Sequence, residues 1–146
     1  RAILSLRESR QRMEEEVASA ATSLAPNLSA LAGPVLAARL ISRASSLKRL
    51  AEMPSSVIQV MGAEKSLFKH LHGKAPSPKH GIIYRHPAIL GTPKKLRGRM
   101  ARTLAAKLAI AARLDYNGSG LLPELKSALD RRIIEVRLSK KAPARR

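Results

Sequence analysis

The amino-acid sequence predicts an all-α protein. Along its 146 residues, apolar side chains recur mostly at spacings of three and four, which is the period of an amphipathic helix. The one run typical of a β-strand, residues 82–84, is too short to form a sheet alone, so we interpret it as an extended connector. Proline and glycine interrupt the apolar pattern at short intervals, which predicts several helices joined by loops.

The first helix is predicted over residues 1–24. Its apolar residues form a heptad-like seam, with Arg10 in one slot. The seam consists of Ile3, Leu6, Met13, Val17, Ala20 and Leu24. Two interpretations stay open, the end of a longer coiled-coil arm or an ordinary amphipathic helix, because a coiled coil needs about three to four heptads. The chain begins at Arg1 rather than Met, so we expect a fragment or a processed product.

Proline punctuates the next segment twice. Pro26 ends the first helix, because the residue before a proline disfavours the α conformation, and Asn27 or Ser29 can cap a short turn. Pro34 suits the first turn of the following helix, which is predicted over residues 35–52.

Two short helices are predicted next. Ser55 and Ser56 offer N-caps for a helix over residues 57–61, and a second helix covers residues 64–71. Residues 73–78, rich in glycine, proline and lysine, are predicted to form a loop.

A long helix is predicted from Thr92 to Arg113, with Thr92 as its N-cap and Pro93 in its first turn. At about 100° per residue, its apolar and basic residues separate onto opposite faces. The apolar face holds Met100, Leu104, Leu108 and Ala111, and the basic face holds Lys95, Arg99, Arg102 and Arg113. The pattern therefore predicts a buried stripe and a basic stripe on one element.

The C-terminal region is predicted to contain a turn, a helix and a tail. Residues 117–120 form the glycine-rich turn, and the last helix covers residues 123–138. Its core-spaced residues are Leu125, Leu129, Ile133 and Val136. We expect residues 139–146 to be a basic, disordered tail.

Positive charge dominates the chain and is unevenly distributed. The formal net charge is +18, from 28 Lys plus Arg against 10 Asp plus Glu. Residues 55–114 hold 12 basic residues and a single acid, Glu64, whereas residues 1–54 and 115–146 carry only +3 and +4. This excess indicates a polyanionic partner. The alternative is a solvated surface on a very basic protein, which would normally contain more acids.

Composition and motifs exclude several functional classes. The chain has no cysteine, so it has neither a disulfide framework nor a Cys-ligated metal site. No apolar run approaches the roughly 20 residues of a membrane-spanning helix. There is no P-loop, no G-x-S-x-G and no cysteine nucleophile, and the four histidines have only Glu64 as a nearby carboxylate. We therefore predict no catalytic residues, no metal site and no cofactor.

Aromatic residues make up only 2% of the chain, which argues against a stacking platform for single strands. His80, Tyr84 and His86 supply the few flat rings within the basic region. We favour core packing for Tyr84, which follows two isoleucines, and RNA contact for the pairs Lys79–His80 and Arg85–His86.

Five ordered stretches resemble the Nop domain. They are residues 24–43, 53–59, 62–68, 79–84 and 105–115, and together they cover most of residues 24–116. The clearest are the tetrad Gly62-Ala63-Glu64-Lys65, followed by Leu67-Phe68, and the run Lys79-His80-Gly81-Ile82-Ile83-Tyr84. The resemblance is nearest to the archaeal scaffold of box C/D small ribonucleoproteins, a relative of eukaryotic nucleolar Nop proteins and of a Nop-domain splicing factor.

The resemblance implies a domain organisation and a set of partners. A compact multi-helix Nop domain would cover residues 25–138, between the end of a coiled-coil arm (1–24) and the basic tail (139–146). Such a scaffold recognises a box C/D kink-turn RNA together with the ribosomal-type kink-turn protein already bound to it. It is expected to recruit fibrillarin, the guided 2′-O-methyltransferase of rRNA, through an N-terminal domain missing here, and to self-associate through the coiled coil.

The same resemblance implies a non-catalytic subunit without a membrane partner. We expect it in the archaeal cytoplasm, or in the nucleolus of a eukaryotic cell.

Carried onto this sequence, the resemblance assigns the site residues. Gly62, Ala63 and Glu64 would lie on the composite or partner-protein surface. The expected RNA-binding residues are Lys65, Lys69, Lys79, His80, Arg85, His86, Lys95, Arg99 and Arg102. Eukaryotic relatives carry a histidine directly after the tyrosine, where this chain has Arg85 and then His86, so either residue is a candidate for a base contact.

Two other functions compete with this one. Composition alone also suits a generic basic nucleic-acid binder, such as a ribosomal or chromatin protein. An enzyme is the weaker hypothesis, because the catalytic constellations are missing.

Overall fold

The computed structural model describes residues 1–139, which form α-helices and two short 3-10 turns. The helices are α1 (Ala2–Leu24), α2 (Pro26–Ala32), α3 (Pro34–Ala44), α4 (Leu47–Glu52), α5 (Ser55–Val60), α6 (Glu64–Leu71), α7 (Pro87–Leu90), α8 (Arg97–Tyr116) and α9 (Pro123–Leu138). The 3-10 turns are Ile82–Arg85 and Lys94–Leu96. No strand occurs in this part of the chain, and the predicted all-α class is confirmed. The predicted tail, beyond Ser139, lies outside the described residues.

Helix α8 is the centre of the fold. Helices α2, α4, α5, α7 and α9 all pack against it. Its buried face alternates large side chains with alanines, which lets the neighbouring helix axes come close. The buried residues are Met100, Ala101, Leu104, Ala105, Leu108, Ala109, Ala111 and Ala112. The predicted apolar stripe of the long helix is therefore confirmed.

Three predicted helices match the structure, and the helix predicted over residues 35–52 does not. The helices predicted over residues 1–24, 64–71 and 123–138 agree with α1, α6 and α9. The single helix predicted over residues 35–52 is wrong, because Ser45 adopts a left-handed conformation (φ +76°) and separates α3 from α4. The hydroxyl of Ser46 then caps α4 by accepting the Arg49 amide at 3.1 Å.

The region before α8 also differs from the prediction. Residues 82–84, interpreted as an extended connector, lie in a 3-10 turn. The long helix begins at Arg97, so Thr92 is not its N-cap and Lys95 lies in the 3-10 turn that precedes it. The Thr92 hydroxyl instead donates to the Ala88 carbonyl at 2.6 Å and terminates the short helix α7. Likewise, the N-cap of α5 is Pro54, and not Ser55 or Ser56 as predicted.

Most of α1 lies outside the core. Ala21 is its only buried residue, and its C-terminal end packs on α2 and α3. The heptad-like seam stays exposed, including Ile3 at 69% and Met13 at 61%. The described domain therefore does not cover this apolar stripe.

A polar latch joins α2 to the end of α8. The Asp115 carboxylate accepts the backbone amides of Asn27 (2.9 Å) and Leu28 (2.8 Å), and it thereby caps the N-terminus of α2 from a distant part of the chain. The buried Asn27 side chain donates to Asp115 and to the Gly120 carbonyl, and its oxygen accepts the Leu122 amide. Asn27 is therefore not the simple turn cap that the sequence suggested, because its side chain ties α2 to the α8–α9 connection.

We predict that Asp115→Ala strongly destabilises the fold. The change leaves two amides of α2 without their acceptor and removes one of the two acceptors of the buried Asn27 side-chain amide, so we expect it to cost about 2–4 kcal/mol of unfolding free energy. Urea denaturation followed by circular dichroism measures this loss. The control is Asp130→Ala, which removes only an exposed pair with Lys126 and should cost less than about 1 kcal/mol. Equal losses for the two variants would contradict the role of the latch.

Candidate functional site

At the candidate site, the chain at residues 59–61 crosses the chain at residues 79–82. The Gly81 amide donates to the Gln59 carbonyl at 2.9 Å, and the Ile82 amide donates to the Met61 carbonyl at 2.8 Å. The Gln59 side chain completes the crossing by donating to the Lys79 carbonyl at 2.8 Å. The end of α5, which leads into the tetrad, is thereby fixed against the loop that carries Lys79.

Glycine is required on both sides of this crossing. A Cβ atom on Gly81 would lie 1.9 Å from the Met61 carbonyl oxygen, which no side chain can tolerate. Gly62 has φ +91°, and its Cβ would meet the Cγ2 atom of Ile82 at 2.5 Å. Gly62 thus permits a close approach by the loop, and Ala63 beside it is half-buried.

Glu64 stabilises the turn of the tetrad. Its carboxylate accepts the Gly62 amide at 2.9 Å and lies 3.8 Å from the Arg43 guanidinium. The hydrogen bond from Gly62, then that from its own amide, lowers the pKa of Glu64, with a smaller effect of Arg43. Glu64 is therefore ionised at neutral pH and holds both a backbone turn and a basic neighbour.

Helix α6 presents Lys65, the last residue of the tetrad, to solvent. None of its residues is buried, and both Lys65 and Lys69 are exposed. Phe68 and Leu71 are also exposed, at 63% and 73%. The helix thus offers ammonium groups and apolar side chains side by side.

His80 and Arg97 both contact the side chain of Tyr84. The His80 and Tyr84 rings lie 4.5 Å apart, and Arg97 lies over Tyr84 while donating to its hydroxyl at 3.0 Å. Tyr84 packs against the core, in agreement with the favoured interpretation. Burial lowers the pKa of His80, opposed by its backbone hydrogen bond and reinforced by Arg97 and Lys79.

His86 is partly buried and hydrogen-bonded within the fold, whereas the sequence suggested that it would be exposed on the surface. Its Nε2 atom donates to the Leu31 carbonyl at 2.8 Å, and Nδ1 accepts the Ala88 amide at 3.1 Å, which caps α7. These partners require the neutral ring. Both nitrogens are engaged, so of the two candidates for a base contact only Arg85 has an exposed side chain.

A groove of about 800 Å³ runs between α5, α6 and α8. Its walls include the apolar residues Val57, Met61 and Leu67, and its cations include Lys79 and Arg102. Glu64 of the tetrad, Lys79 of the loop and Arg102 of the long helix therefore line one concave surface, whereas Lys65 and Arg85 are not among its lining residues.

The predicted basic stripe is only partly assembled. Arg102 lines the groove, but Arg99 donates to the Ser139 hydroxyl at 3.0 Å and Arg113 donates to the Ala51 carbonyl at 3.1 Å. Lys95 is exposed in the turn before α8. The predicted basic stripe is therefore wrong as one continuous row of four cations on α8. Helix α8 begins after Lys95, and the Arg113 side chain binds the end of α4.

Sequence reasoning missed two arginines of this surface. Arg39 and Arg43 of α3 lie beside the crossing, where both line a groove together with Ile82. Their spacing of four on one helix was the available signal, but α3 lies outside the most basic stretch of the chain.

Comparisons with known proteins identify the family of this chain. The family model described as "Nop: snoRNA binding domain, fibrillarin" matches residues 1–139. The chain belongs to the Nop family. An uncharacterized NOP5 family protein of Methanocaldococcus jannaschii is 56% identical over 113 residues, which cover 77% of this chain and 27% of that protein. Nucleolar protein 58 of Mycosarcoma maydis is 44% identical over 114 residues, 77% of this chain and 19% of that protein.

A solved structure shares the same fold. The crystal structure of a fibrillarin/Nop5p complex contains a chain that is 43% identical to this Nop-family chain, with a TM-score of 0.78. The similarity covers 93% of this chain and 51% of that one. This chain therefore spans about half of the solved Nop5p chain, and about a quarter or less of the two sequence relatives.

No group of three or more His, Asp or Glu side chains that could hold a metal ion occurs within residues 1–139. No helix in this range is long and apolar enough to cross a membrane.

We predict that Gly81→Ala disrupts the crossing. The new Cβ would overlap the Met61 carbonyl, so we expect a loss of about 3 kcal/mol or more in unfolding free energy. Gly98→Ala is the matched control, because its Cβ would meet only the flexible Lys79 side chain at 3.4 Å, and alanine favours the helix by up to about 1 kcal/mol. Thermal denaturation of both variants tests the claim, and an unchanged Gly81→Ala protein would refute it.

We predict that stability falls in mild acid through His86. Burial lowers the pKa of His86 from its ordinary value of 6.5, aided by Lys126 and opposed by the Leu31 bond. In the unfolded chain His86 binds a proton with its ordinary pKa of 6.5, whereas in the folded chain it binds a proton only at lower pH. The contribution of His86 to the free energy of unfolding is therefore complete above this pH and decreases below it. Denaturation between about pH 7.5 and about pH 5.5 should show a shallower decrease in His86→Gln. Identical slopes in the two proteins would contradict this assignment, since His80 contributes equally to both.

Proposed function

We propose that this chain is the non-catalytic RNA-binding scaffold module of a box C/D ribonucleoprotein. It recognises a box C/D kink-turn RNA together with the ribosomal-type kink-turn protein bound to it. In this way it supports guided 2′-O-methylation of rRNA by fibrillarin, which binds elsewhere on the full-length scaffold. The observation that carries the proposal is the crossing that holds the start of the tetrad against the Lys79–Arg85 loop, in a chain of the Nop family.

Two kinds of surface chemistry support composite recognition. Exposed cations, among them Lys65, Lys69 and Lys79, suit phosphate groups. Phe68 and Leu71, exposed on the same helix α6, suit a protein surface. Together, these two kinds of side chain suit a ligand that contains both RNA and protein.

Individual roles follow from position. Gly62 and Ala63 permit close approach at the junction, Glu64 holds the turn and Arg43, and Lys65 contacts a phosphate. The further RNA contacts that we propose are Lys69, Lys79, His80, Arg85, Lys95, Arg99 and Arg102. His86 positions α7 beneath Arg85 rather than touching RNA. The exposed seam of α1 is a candidate for self-association.

The names of the relatives also bear on cellular location. Nucleolar protein 58 and nucleolar protein 56 of Dictyostelium discoideum, which is 43% identical over 113 residues, support a nucleolar location in a eukaryotic cell. In an archaeal cell the same complex would lie in the cytoplasm.

Gel shifts with and without the kink-turn protein test the proposed function. Composite recognition predicts strong binding to box C/D RNA only when that protein is already bound. Equal affinity in the two series, or equal affinity for an unrelated duplex, would refute it. The generic alternative, which the charge of +18 favours, predicts a steep salt dependence without structural preference.

We predict that Lys65→Ala weakens the ternary complex about tenfold, because a charge-assisted phosphate contact is lost. Lys48→Ala is the matched control, since Lys48 is exposed on α4 and carries the same charge. The dissociation constant for the assembled RNA–protein pair measures both effects. If the two variants bind alike, Lys65 does not lie at the interface.

A further inference from the structure

Helix α3 carries two exposed arginines on a fixed support. Arg39 and Arg43 are one turn apart, so their side chains lie on the same face. The opposite face of α3 is buried through Ala37, Leu40 and Ala44. The two guanidinium groups therefore extend from a helix that the core holds in place.

Each arginine faces cations of the candidate site. Arg39 shares a pocket of about 310 Å³ with Arg85, beside Ile82. Arg43 shares the larger groove with Lys79 and Arg102. Helix α3 thus lies between the two groups of cations and links them into one basic surface.

Acidic groups nearby do not balance these charges. Glu64 is the acid closest to Arg43, at 3.8 Å, and its single negative charge faces three cations of the groove, Arg43, Lys79 and Arg102. On the α1 side of the adjoining groove, Glu14 pairs with Arg10 at 2.9 Å. A cluster of like charges disfavours the free protein and favours a polyanion that neutralises it.

We propose that Arg39 and Arg43 contact neighbouring phosphates of the bound RNA, so that the RNA backbone crosses α3 between Arg85 and the Lys79–Arg102 groove. The proposal rests on the proposed function and adds a second edge to its RNA surface. Guanidinium suits this role because it stays charged and forms paired hydrogen bonds with phosphate oxygens. An acidic segment of the partner protein is the competing ligand.

Salt-dependent binding of a double variant tests the proposal. Arg39→Ala/Arg43→Ala is titrated against the assembled pair of box C/D RNA and kink-turn protein at several salt concentrations. Loss of two phosphate contacts should weaken binding by about 30-fold or more and reduce the salt slope by about 1.5. Lys48→Ala/Arg49→Ala on α4 removes the same charge away from these grooves and should retain nearly the wild-type slope.

A conservative variant separates charge from folding. Arg39→Lys/Arg43→Lys keeps both charges, so its salt slope should stay near that of the wild type, although its affinity should fall modestly. Circular dichroism of all variants should show wild-type helix content, because both side chains are exposed.

The possible outcomes separate the α3 proposal from the proposed function. Wild-type affinity and slope in the double alanine variant would overturn the α3 proposal and leave the proposed function intact. A loss of affinity at an unchanged slope, with weaker binding to the kink-turn protein alone, would assign the arginines to protein and also overturn it. Failure of the wild-type chain to bind the assembled pair would refute the proposed function itself.

Discussion

The candidate site depends on one close backbone crossing. The bonds from Gly81 to Gln59 and from Ile82 to Met61, at 2.9 and 2.8 Å, fix the loop against the end of α5. This contact is possible only because Gly81 has no side chain. The tetrad begins one residue after Met61, so its orientation and that of the Lys79–Arg85 loop are set together. Because the backbone that carries the exposed cations is fixed in this way, it loses little conformational entropy when they bind a ligand.

The crossing is in turn supported by α8 and the polar latch. Helix α5 packs on α8, and Ile83 of the adjoining 3-10 turn is fully buried. At the other end of α8, Asp115 caps α2 and Asn27 holds the connection to α9. His86 joins the same frame through the Leu31 carbonyl of α2. The exposed cations therefore stand on a frame in which Asn27, Asp115 and His86 form hydrogen bonds between distant parts of the chain, as precise ligand recognition requires.

The sequence predicted what depends on local periodicity and missed what depends on distant partners. The apolar face of α8 and the extent of α6 and α9 follow from helical spacing, and they were predicted correctly. The break at Ser45 was missed because its left-handed conformation has no glycine to mark it. Asn27 looked like a local cap because its partner Asp115 lies 88 residues away. His86 looked exposed for the same reason, and Arg39 and Arg43 joined the site only through tertiary packing. The tetrad residues were named from the family resemblance, whereas the loop pairs Lys79–His80 and Arg85–His86 were already favoured for RNA contact from the sequence.

The most direct measurement is crosslinking, followed by mass spectrometry, of the chain to the assembled pair of box C/D RNA and kink-turn protein. The account predicts RNA crosslinks at residues 62–69 and 79–85, at Arg102 and on α3, with protein crosslinks beside the tetrad. The same residues should not crosslink when the RNA is offered without its protein. RNA crosslinks concentrated instead on other basic residues, such as Lys48, Arg131 or Lys140, would contradict it.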